Sequence, residues 1–322
     1  MKLRKNDSGK AMTQYRLKRS AKQIVVSVVR YAFLLALGYI IISQLLYMLS
    51  YALRSPSEVN DPSVVWIPRN FTLGNFSVAS EALDFLKAFG ATLGIQILSA
   101  LIEVITCAIP AYGLARFRFR GRNVMFFIVI LMILVPPQMT AVSMSLNYAH
   151  FDVFGILGAI GSIIGKDIRP NLLNTGFVFW LPSLFGVGLR SGLFIFIYRQ
   201  FFKGLPKELE EAAAIDGASP FMTFWRVVVP SSGVAFLTVT IFSVVWHWNE
   251  YYQSVLFLTD NYPLSVALSK LDSSIFGMSG YGSGSLSYTM AACVLYILPL
   301  FIMYIILQRK FISSIDRVGI VG

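Results

Sequence analysis

Three charged side chains interrupt long apolar stretches of the sequence, namely Glu103, Arg190 and Glu250. A charge among apolar side chains is costly, so such groups usually face a bundle interior or a wet cavity. Glu250 belongs to the segment WHWNEYY, which also supplies Trp248 and Asn249. Aromatic faces, amides and carboxylates together suit the binding of polar, hydroxylated solutes. These five residues are therefore candidates for the lining of a solute pathway.

A packing role is the alternative for the same residues. Arg190 would then pair with a carboxylate or a backbone carbonyl and hold two helices together, and the aromatic rings would pack against a neighbouring helix. Gly186, Gly188 and Gly192 surround Arg190, so helices can approach closely or break locally there. His247 is predicted to be a packing group. The sequence leaves both roles open.

No residue pattern of an enzyme occurs in the sequence. The string GSIIGKD, residues 161–167, is one residue short of a phosphate-binding loop and ends in Asp where Ser or Thr is needed to hold magnesium. The two histidines and two cysteines lack metal-ligand spacing, and no Gly-x-Ser-x-Gly elbow supplies a nucleophile. The glycine-rich segment 277–285 is predicted to be an external loop. We therefore expect no catalysis and no bound cofactor in this chain.

The composition is that of a polytopic membrane protein. Of 322 residues, 56% are hydrophobic and 13% are charged, whereas about 25% are charged in a typical soluble domain. The net charge of +11 does not indicate nucleic-acid binding, because the Lys and Arg residues form short clusters between apolar runs. The predicted fold is all-α and integral to the membrane.

Six apolar stretches are long enough, at roughly 20 residues each, to cross a bilayer as helices. They cover residues 31–51, 89–113, 124–145, 177–201, 235–258 and 288–308. The first stretch follows a basic segment, as in a signal peptide, but it is too long for one and predicts a retained span. In the terminal segments and the loops on their side of the membrane lie 19 Lys and Arg residues, whereas the loops on the other side contain six. The positive-inside rule therefore predicts that both termini are cytoplasmic.

The cytoplasmic loop 202–234 is predicted to contain two short helices joined by a turn. Asp216 and Gly217 supply the turn, in which Gly217 is free to adopt a positive φ, and Ser219 suits the N-cap of the second helix. Pro230 is expected to end or kink that helix before the next span. Such a polar, structured loop in an apolar chain indicates a contact with another molecule.

The first of these helices carries an apolar ridge with an acidic flank. The ridge is Leu205, Leu209, Ala212 and Ala213, and the flank is Glu208, Glu210 and Glu211. Alanines allow another protein to approach closely, and the carboxylates can orient it. A helix lying on the lipid surface is the alternative, but such helices favour Lys and Arg on the polar face. The pattern therefore favours a protein partner.

The spacing within this loop resembles a known motif. Its pattern is Glu211, Ala212, Ala213, three residues, Gly217, nine residues, then Val227, Val228, Val229 and Pro230. This is similar to the EAA loop of binding-protein-dependent ABC transporter permeases, E-A-A-x3-G-x9-I-x-L-P, with valines in place of Ile and Leu. The resemblance extends to segments 109–122, 135–140, 198–219 and 246–252. It is similar to the carbohydrate-uptake, maltose-permease-like group in particular.

The resemblance implies a six-span half-permease that pairs with a second, homologous permease chain as a heterodimer. It also implies two ATPase subunits, which would bind ATP and Mg, and an extracytoplasmic binding protein that delivers a sugar. The chain would lie in a bacterial inner or plasma membrane, in contact with lipid. The implied organisation is a basic segment 1–30, a first span 31–51, an external loop 52–88, a core permease domain 89–308 and a cytoplasmic tail 309–322.

By the same resemblance, the helix around Glu211 to Gly217, within the coupling loop 202–234, is a coupling helix seated in a groove of the ATPase. The residues predicted for ATPase coupling are Glu211, Ala212, Ala213, Asp216, Gly217 and Pro230. Glu211 would orient the contact, the alanines would allow close packing, and Gly217 would make the turn. The C-terminal sequence departs from the family's usual tail, which leaves a tail contact with the ATPase open.

Other classes remain as alternatives. A permease of the same fold could carry a peptide, a polyamine or a modified glycan. A secondary transporter would be expected to have coupling-ion carboxylates in inverted repeats, but no such repeat is evident and the EAA-like loop would be unexplained. A membrane enzyme would need a nucleophile or a metal cluster, which the sequence lacks.

Overall fold

The computed structural model describes residues 4–64, 66–277 and 285–319. Within these residues the regular structure is helical, apart from one isolated antiparallel bridge between Arg54 and Phe71. The predicted all-α fold is therefore confirmed. Of the glycine-rich segment predicted to be an external loop, residues 278–284 lie outside the described residues.

The helices are numbered here in chain order. They are α1 (Arg4–Ala52), α2 (Gly74–Ala82), α3 (Phe85–Arg116), α4 (Arg122–Leu134), α5 (Pro137–Ala149), α6 (Ile156–Ile164), α7 (Phe177–Leu184), α8 (Ser191–Gly204), α9 (Glu208–Ile215), α10 (Pro220–Ser231), α11 (Gly233–Trp248), α12 (Tyr252–Phe257), α13 (Leu264–Ser269), α14 (Leu271–Gly277) and α15 (Ser285–Gly319). A short 3₁₀ helix, Pro56–Glu58, follows α1, and α3 and α10 each contain a π-helical turn, Thr92–Ile97 and Phe224–Val228.

Three helical segments are long and apolar enough to cross a membrane, namely Gln23–Ala52 of α1, the whole of α3 and Leu286–Gln308 of α15. Two bent pairs reach the same length and composition, α4 with α5 at 98° and α10 with α11 at 80°. By these criteria the described residues contain three spans, or five if each bent pair is one span.

The structure differs from unbroken helices in three of the predicted spans. Stretch 124–145 bends where Pro136 and Pro137 prevent a continuous helix. Stretch 177–201 is divided into α7 and α8, because Gly186 and Arg190 adopt positive φ values of 68° and 63°, which an α-helix cannot contain. Stretch 235–258 is likewise divided between α11 and α12.

Helix α3 lies at the centre of the bundle and packs against α7, α8 and α11, while α1 packs along α15. One face of α3 is polar although it is fully buried. Its residues are Thr92, Gln96, Ser99 and Glu103, each 0% exposed. Separations of four, three and four residues place these side chains on one face of a helix. A buried polar face in an apolar bundle requires partners on the neighbouring segments.

The partners of the polar face lie on elements distant in the sequence. Thr92 Oγ1 accepts a hydrogen bond from the backbone N–H of Leu264, the first residue of α13, at 2.8 Å. Gln96 Nε2 donates to Ser254 Oγ of α12 at 2.9 Å. These side chains therefore fix the short helices α12 and α13 against the middle of α3.

Close packing of α8 against α4 gives a test of the fold. A Cβ added to Gly192 would lie 2.9 Å from Met132 Cβ and 3.0 Å from the carbonyl oxygen of Val129. We expect Gly192→Ala to lower the thermal midpoint of the detergent-purified protein, because overpacking typically costs about 1–3 kcal/mol.

The measurement is the fraction of protein that stays monodisperse after heating. Gly204→Ala is the matched control, since it lies in the same helix and its Cβ would meet no atom within 4 Å. Equal midpoints for the two variants would contradict the expectation.

Candidate functional site

A cavity of about 500 Å³ opens beside the break between α7 and α8. Its wall is mostly apolar, with a few polar side chains that include Arg190, His247 and Gln253. A smaller cavity of about 110 Å³ shares Arg190 and Gln253 with it and is also lined by Trp246, Asn249 and Glu250. Apolar cavities with a few convergent polar groups are typical binding sites for small molecules.

The structure brings three of the predicted pathway residues together, since Arg190, Asn249 and Glu250 line the smaller cavity. The guanidinium carbon of Arg190 lies 5.7 Å from the ring centre of Trp246, within the range of a cation–π contact. The Glu250 carboxylate accepts the backbone N–H of Gln253 at 2.7 Å. Among the ion pairs of the described residues, none joins Arg190 to Glu250.

The other two predicted pathway residues lie away from the cavities. Trp248 is 2% exposed, and its ring centre lies 6.2 Å from that of Phe89 and 6.0 Å from that of Tyr296. It packs α11 against α3 and α15, whereas Trp246, two residues earlier on α11, faces the smaller cavity. Glu103 is fully buried behind the wall. Nothing in the sequence selects Trp246 over Trp248, because both lie in the same aromatic segment.

Glu103, Ser191 and His247 form a buried polar group, hereafter the Glu103 cluster, where α3, α8 and α11 meet. Glu103 Oε1 accepts a hydrogen bond from Ser191 Oγ, and Glu103 Oε2 lies 3.5 Å from His247 Nε2. His247 Nδ1 lies 3.0 Å from the carbonyl oxygen of Ser243. A carbonyl oxygen only accepts, so Nδ1 carries a proton. Nε2 and Glu103 Oε2 are then partners only with one further proton between them, on the carboxyl group or on the ring. The packing role predicted for His247 therefore includes a polar partner.

Arg190 lies in a strained turn beside this cluster. Its φ of 63° and ψ of 14° are left-handed, which costs a residue with a side chain about 1–2 kcal/mol. A Cβ added to Gly188 would lie 3.0 Å from Glu103 Oε1 and 2.8 Å from Ser183 Oγ, so a larger residue on this side of the turn would have to displace these side chains. On the other side, Ser191 is hydrogen-bonded to Glu103. A strained backbone conformation persists only where the surrounding structure holds it. Glu103 contributes to this at Arg190, because it contacts both Gly188 and Ser191.

The second candidate site is the loop between α8 and α11. Helix α9 ends in a Schellman cap, in which Gly217 has φ of 81°. The N–H of Gly217 donates to the carbonyl of Ala214 at 3.1 Å, and that of Ala218 donates to the carbonyl of Ala213 at 2.9 Å. A Cβ on Gly217 would meet no atom within 4 Å, so the backbone angle and not the available space requires glycine. The predicted turn is confirmed.

The second helix of the loop begins as the sequence predicts. Ser219 Oγ accepts the backbone N–H of Met222 at 3.3 Å, which confirms Ser219 as the N-cap. Helix α10 continues past Pro230, and the chain bends by 80° into α11 at Ser232. The kink predicted at Pro230 therefore falls two residues later.

Most of the predicted coupling residues lie on the outside of the loop. Ala213 is buried, whereas the exposed members are Glu211, Ala212, Asp216, Gly217 and Pro230. Large apolar side chains also lie outside, of which Ile215 at 86% and Phe221 at 69% are the most exposed in this loop. Exposed apolar side chains on an otherwise polar loop indicate a contact surface for another molecule.

An ion pair that the sequence did not predict fastens α9 to the end of α3. Arg116 Nε lies 2.7 Å from Glu210 Oε1, with side chains only 7% and 20% exposed. Arg116 also donates to the carbonyl of Leu205 at 2.7 Å, and the Tyr112 hydroxyl lies 3.4 Å from Glu210 Oε2. No local sequence pattern indicated this pair, because it depends on how α9 packs against the end of α3.

An all-helical membrane chain with broken spans around a cavity and a two-helix loop of this pattern belongs to the class of transport permeases. More particularly, the chain belongs to the family described as binding-protein-dependent transport system inner membrane component, which it matches over residues 104–317. This confirms the family resemblance of the EAA-like sequence.

Known proteins of the family resemble much of the chain. It is 27% identical over 249 residues to the probable starch degradation products transport system permease protein AmyC of Thermoanaerobacterium thermosulfurigenes, covering 77% of this chain and 81% of the relative. It is 29% identical over 259 residues to the osmoprotective compounds uptake permease protein GgtD of a Synechocystis species, covering 79% and 77%. A chain of a bacterial ABC transporter that imports the acidic polysaccharide alginate has the same fold, with a TM-score of 0.68 at 21% identity over 89% of this chain and 96% of that one.

The Arg116 and Glu210 pair can be tested by removing one charge. We expect Glu210→Ala to loosen the loop, because it leaves Arg116 buried without its partner, a change that costs about 3–5 kcal/mol in fully buried pairs. The measurement is the rate of tryptic cleavage of the purified protein after Lys203 and Lys207, which flank α9 on its N-terminal side.

Glu208→Ala is the control, since Glu208 is exposed on the same helix. Replacing both Arg116 and Glu210 with leucine should restore most of the protection, because no unpaired charge then remains. Equal cleavage of the Glu208 and Glu210 variants would show that the ion pair does not hold the loop.

Proposed function

We propose that this chain is the permease subunit of an ABC importer that moves a sugar or oligosaccharide into the cytoplasm by alternating access. ATP and Mg would be bound and ATP hydrolysed by two separate ATPase subunits, and an extracytoplasmic binding protein would deliver the solute. The family supports dependence on a binding protein, and relatives such as AmyC, named for starch degradation products, support a carbohydrate.

The geometry of the 202–234 loop carries this proposal. Its outer face presents Glu211, Ala212 and Ile215 beside a turn fixed by backbone hydrogen bonds. Its inner face is held to α3 by the ion pair of Arg116 and Glu210. In this proposal the outer face is seated in a groove of the ATPase, and closure of the ATPase dimer on ATP moves the loop as a rigid body.

Two connections would carry that motion to the cavity. One is α3, whose end is joined to α9 by the ion pair of Arg116 and Glu210 and whose interior carries Glu103 of the Glu103 cluster. The other is the bend between α10 and α11, because α11 carries Trp246 and His247 in the cavity walls. Motion of the loop would then change the access of the cavity from one side of the membrane to the other.

Solute recognition in this proposal takes place at the two cavities. Trp246 supplies an apolar border to the smaller cavity, and the side chains of Arg190, Asn249 and Glu250 can donate and accept hydrogen bonds with the hydroxyl groups of a sugar. A second, homologous permease chain would complete the pathway from the other side. Both termini would lie in the cytoplasm, in a bacterial inner or plasma membrane.

A permease of the same fold for a different solute is the second candidate. The relative GgtD is named for the uptake of osmoprotective compounds, so membership of the family does not by itself specify a sugar. The charges of the smaller cavity favour neither a sugar nor another solute, because its lining contains one cationic side chain, Arg190, and one carboxyl side chain, Glu250.

The coupling role of the loop is tested at Gly217. Valine at a φ of 81° is strongly disfavoured, so we expect Gly217→Val in the co-expressed complex to distort the turn and lower binding-protein-stimulated ATP hydrolysis by about tenfold or more. Co-purification of the ATPase subunits is measured in the same preparation.

Gly217→Asn is the control, because asparagine tolerates left-handed backbone and should retain most of the activity. If the valine variant inserts, binds its ATPase and hydrolyses ATP like the wild type, coupling does not pass through this turn.

The solute class is tested with the binding protein of the same transporter. We expect oligosaccharides, among a panel that also contains peptides, polyamines and compatible solutes, to raise its thermal midpoint and to stimulate ATP hydrolysis by the reconstituted complex. Stimulation by a compatible solute alone would favour the second candidate.

A further inference from the structure

Glu103 contacts the two residues that flank the cavity-facing Arg190 turn, yet it lines neither cavity itself. Its carboxylate accepts from the hydroxyl of Ser191, and it lies against Gly188 so closely that a Cβ there would come within 3.0 Å of Oε1. Arg190 is held between these contacts in a left-handed conformation. A strained residue at a cavity wall with both flanks fixed is an arrangement that points to function.

We propose that Glu103 is a positioning residue, which holds the 188–191 turn so that the Arg190 side chain faces the solute cavity. The inference rests on the proposed function in so far as the cavity binds the transported solute. Glu103 itself does not touch the solute, because its side chain is 0% exposed behind the wall. It acts on the turn through Ser191 and Gly188.

His247 connects Glu103 to α11, the helix that lines the cavities with His247 and Trp246. Its Nε2 faces Glu103 Oε2, and it adjoins Trp246, whose ring lies 5.7 Å from the Arg190 guanidinium. Glu103 therefore holds the turn that carries Arg190 through Ser191 and, with a proton between its carboxyl group and Nε2, also contacts the helix that carries the aromatic ring. Loss of the Glu103 carboxyl group would free both the turn that carries Arg190 and the helix that carries Trp246. Loss of the Arg190 side chain alone would leave the turn in place.

A glutamine at position 103 preserves this arrangement and a leucine does not. The glutamine oxygen can accept from Ser191, and its N–H can donate to the bare Nε2 of a neutral His247. Leucine has similar bulk but no polar atom, so the hydroxyl and the ring nitrogen would lose their partner. The comparison of Glu103→Gln with Glu103→Leu therefore separates the polar contacts from simple packing.

The experiment places a cysteine at Arg190 as a reporter in the full transporter complex, purified and reconstituted in liposomes. The rate of its modification by the cationic thiol reagent MTSET measures how the 190 side chain is presented to the cavity. Cys107 and Cys293 remain in place, and the complex without Arg190→Cys measures their background. The reporter is then combined in turn with Glu103→Gln, Glu103→Leu and Ser191→Ala.

We expect Glu103→Leu to change the modification rate about fivefold or more, and Glu103→Gln to leave it within about twofold. Ser191→Ala, which removes one hydroxyl, should shift the rate in the same direction as leucine and remains informative if the leucine variant does not assemble. Ser99→Ala is the matched control, because this buried hydroxyl on the same face of α3 donates only to the carbonyl of Ile95, at 2.6 Å. Unchanged rates in the Ser191→Ala and Glu103→Leu variants, or equal effects of Ser99→Ala and Ser191→Ala, would overturn the proposal.

A separate arm tests the function on which the inference rests. Arg190→Gln, in an otherwise native chain, is compared with the wild type in uptake of a radiolabelled oligosaccharide that the wild-type complex imports. Unchanged uptake would remove Arg190 from the solute pathway without affecting the labelling result. Impaired uptake together with unchanged labelling would keep Arg190 on the pathway and reject Glu103 as the residue that positions it.

Discussion

The buried polar face of α3 is the contact on which the rest of the structure depends. In a membrane there is no water to satisfy a buried polar side chain, so each one must find its partner within the protein. Thr92, Gln96 and Glu103 find theirs on α13, α12 and α8, segments that are short or begin at a break. Short helices have little packing area of their own, so these hydrogen bonds determine where they lie.

The same helix relates the two candidate sites. Glu103 and Arg116 are 13 residues apart on α3, about 20 Å along the axis at 1.5 Å per residue. Glu103 contacts the 188–191 turn at the cavity, and Arg116 holds helix α9 of the 202–234 loop. The α-helical pattern between the two sites is interrupted at Cys107, just before Pro110, but the chain keeps its direction there as one span. A single span that joins the two sites suits a transporter, because it can carry a displacement over that distance without a chain of side-chain rearrangements.

Much of this could be predicted from the sequence, since hydrophobic length specifies membrane helices and the Gly217 and Ser219 signals specify the loop by local backbone chemistry. The breaks were predicted less fully. The glycines around Arg190 indicated either close helix packing or a local break, and only the structure shows that the backbone at Gly186 and Arg190 interrupts stretch 177–201. Long-range pairs were hardest. The orientation of Trp248 and the pairing of Arg116 with Glu210 depend on how distant helices pack, and no local pattern specifies that.

The separations along the chain have a consequence for biosynthesis. The partners of Glu103, Gln96 and Thr92 lie 88, 158 and 172 residues further along. A ribosome adds residues one at a time from the N-terminus, so α3 enters the membrane before any of these partners has been made. Its polar face must then be shielded by water or by the insertion machinery until α8, α12 and α13 emerge. During co-translational insertion α3 therefore enters the membrane early, but its polar face forms its hydrogen bonds only after α8, α12 and α13 have been synthesised.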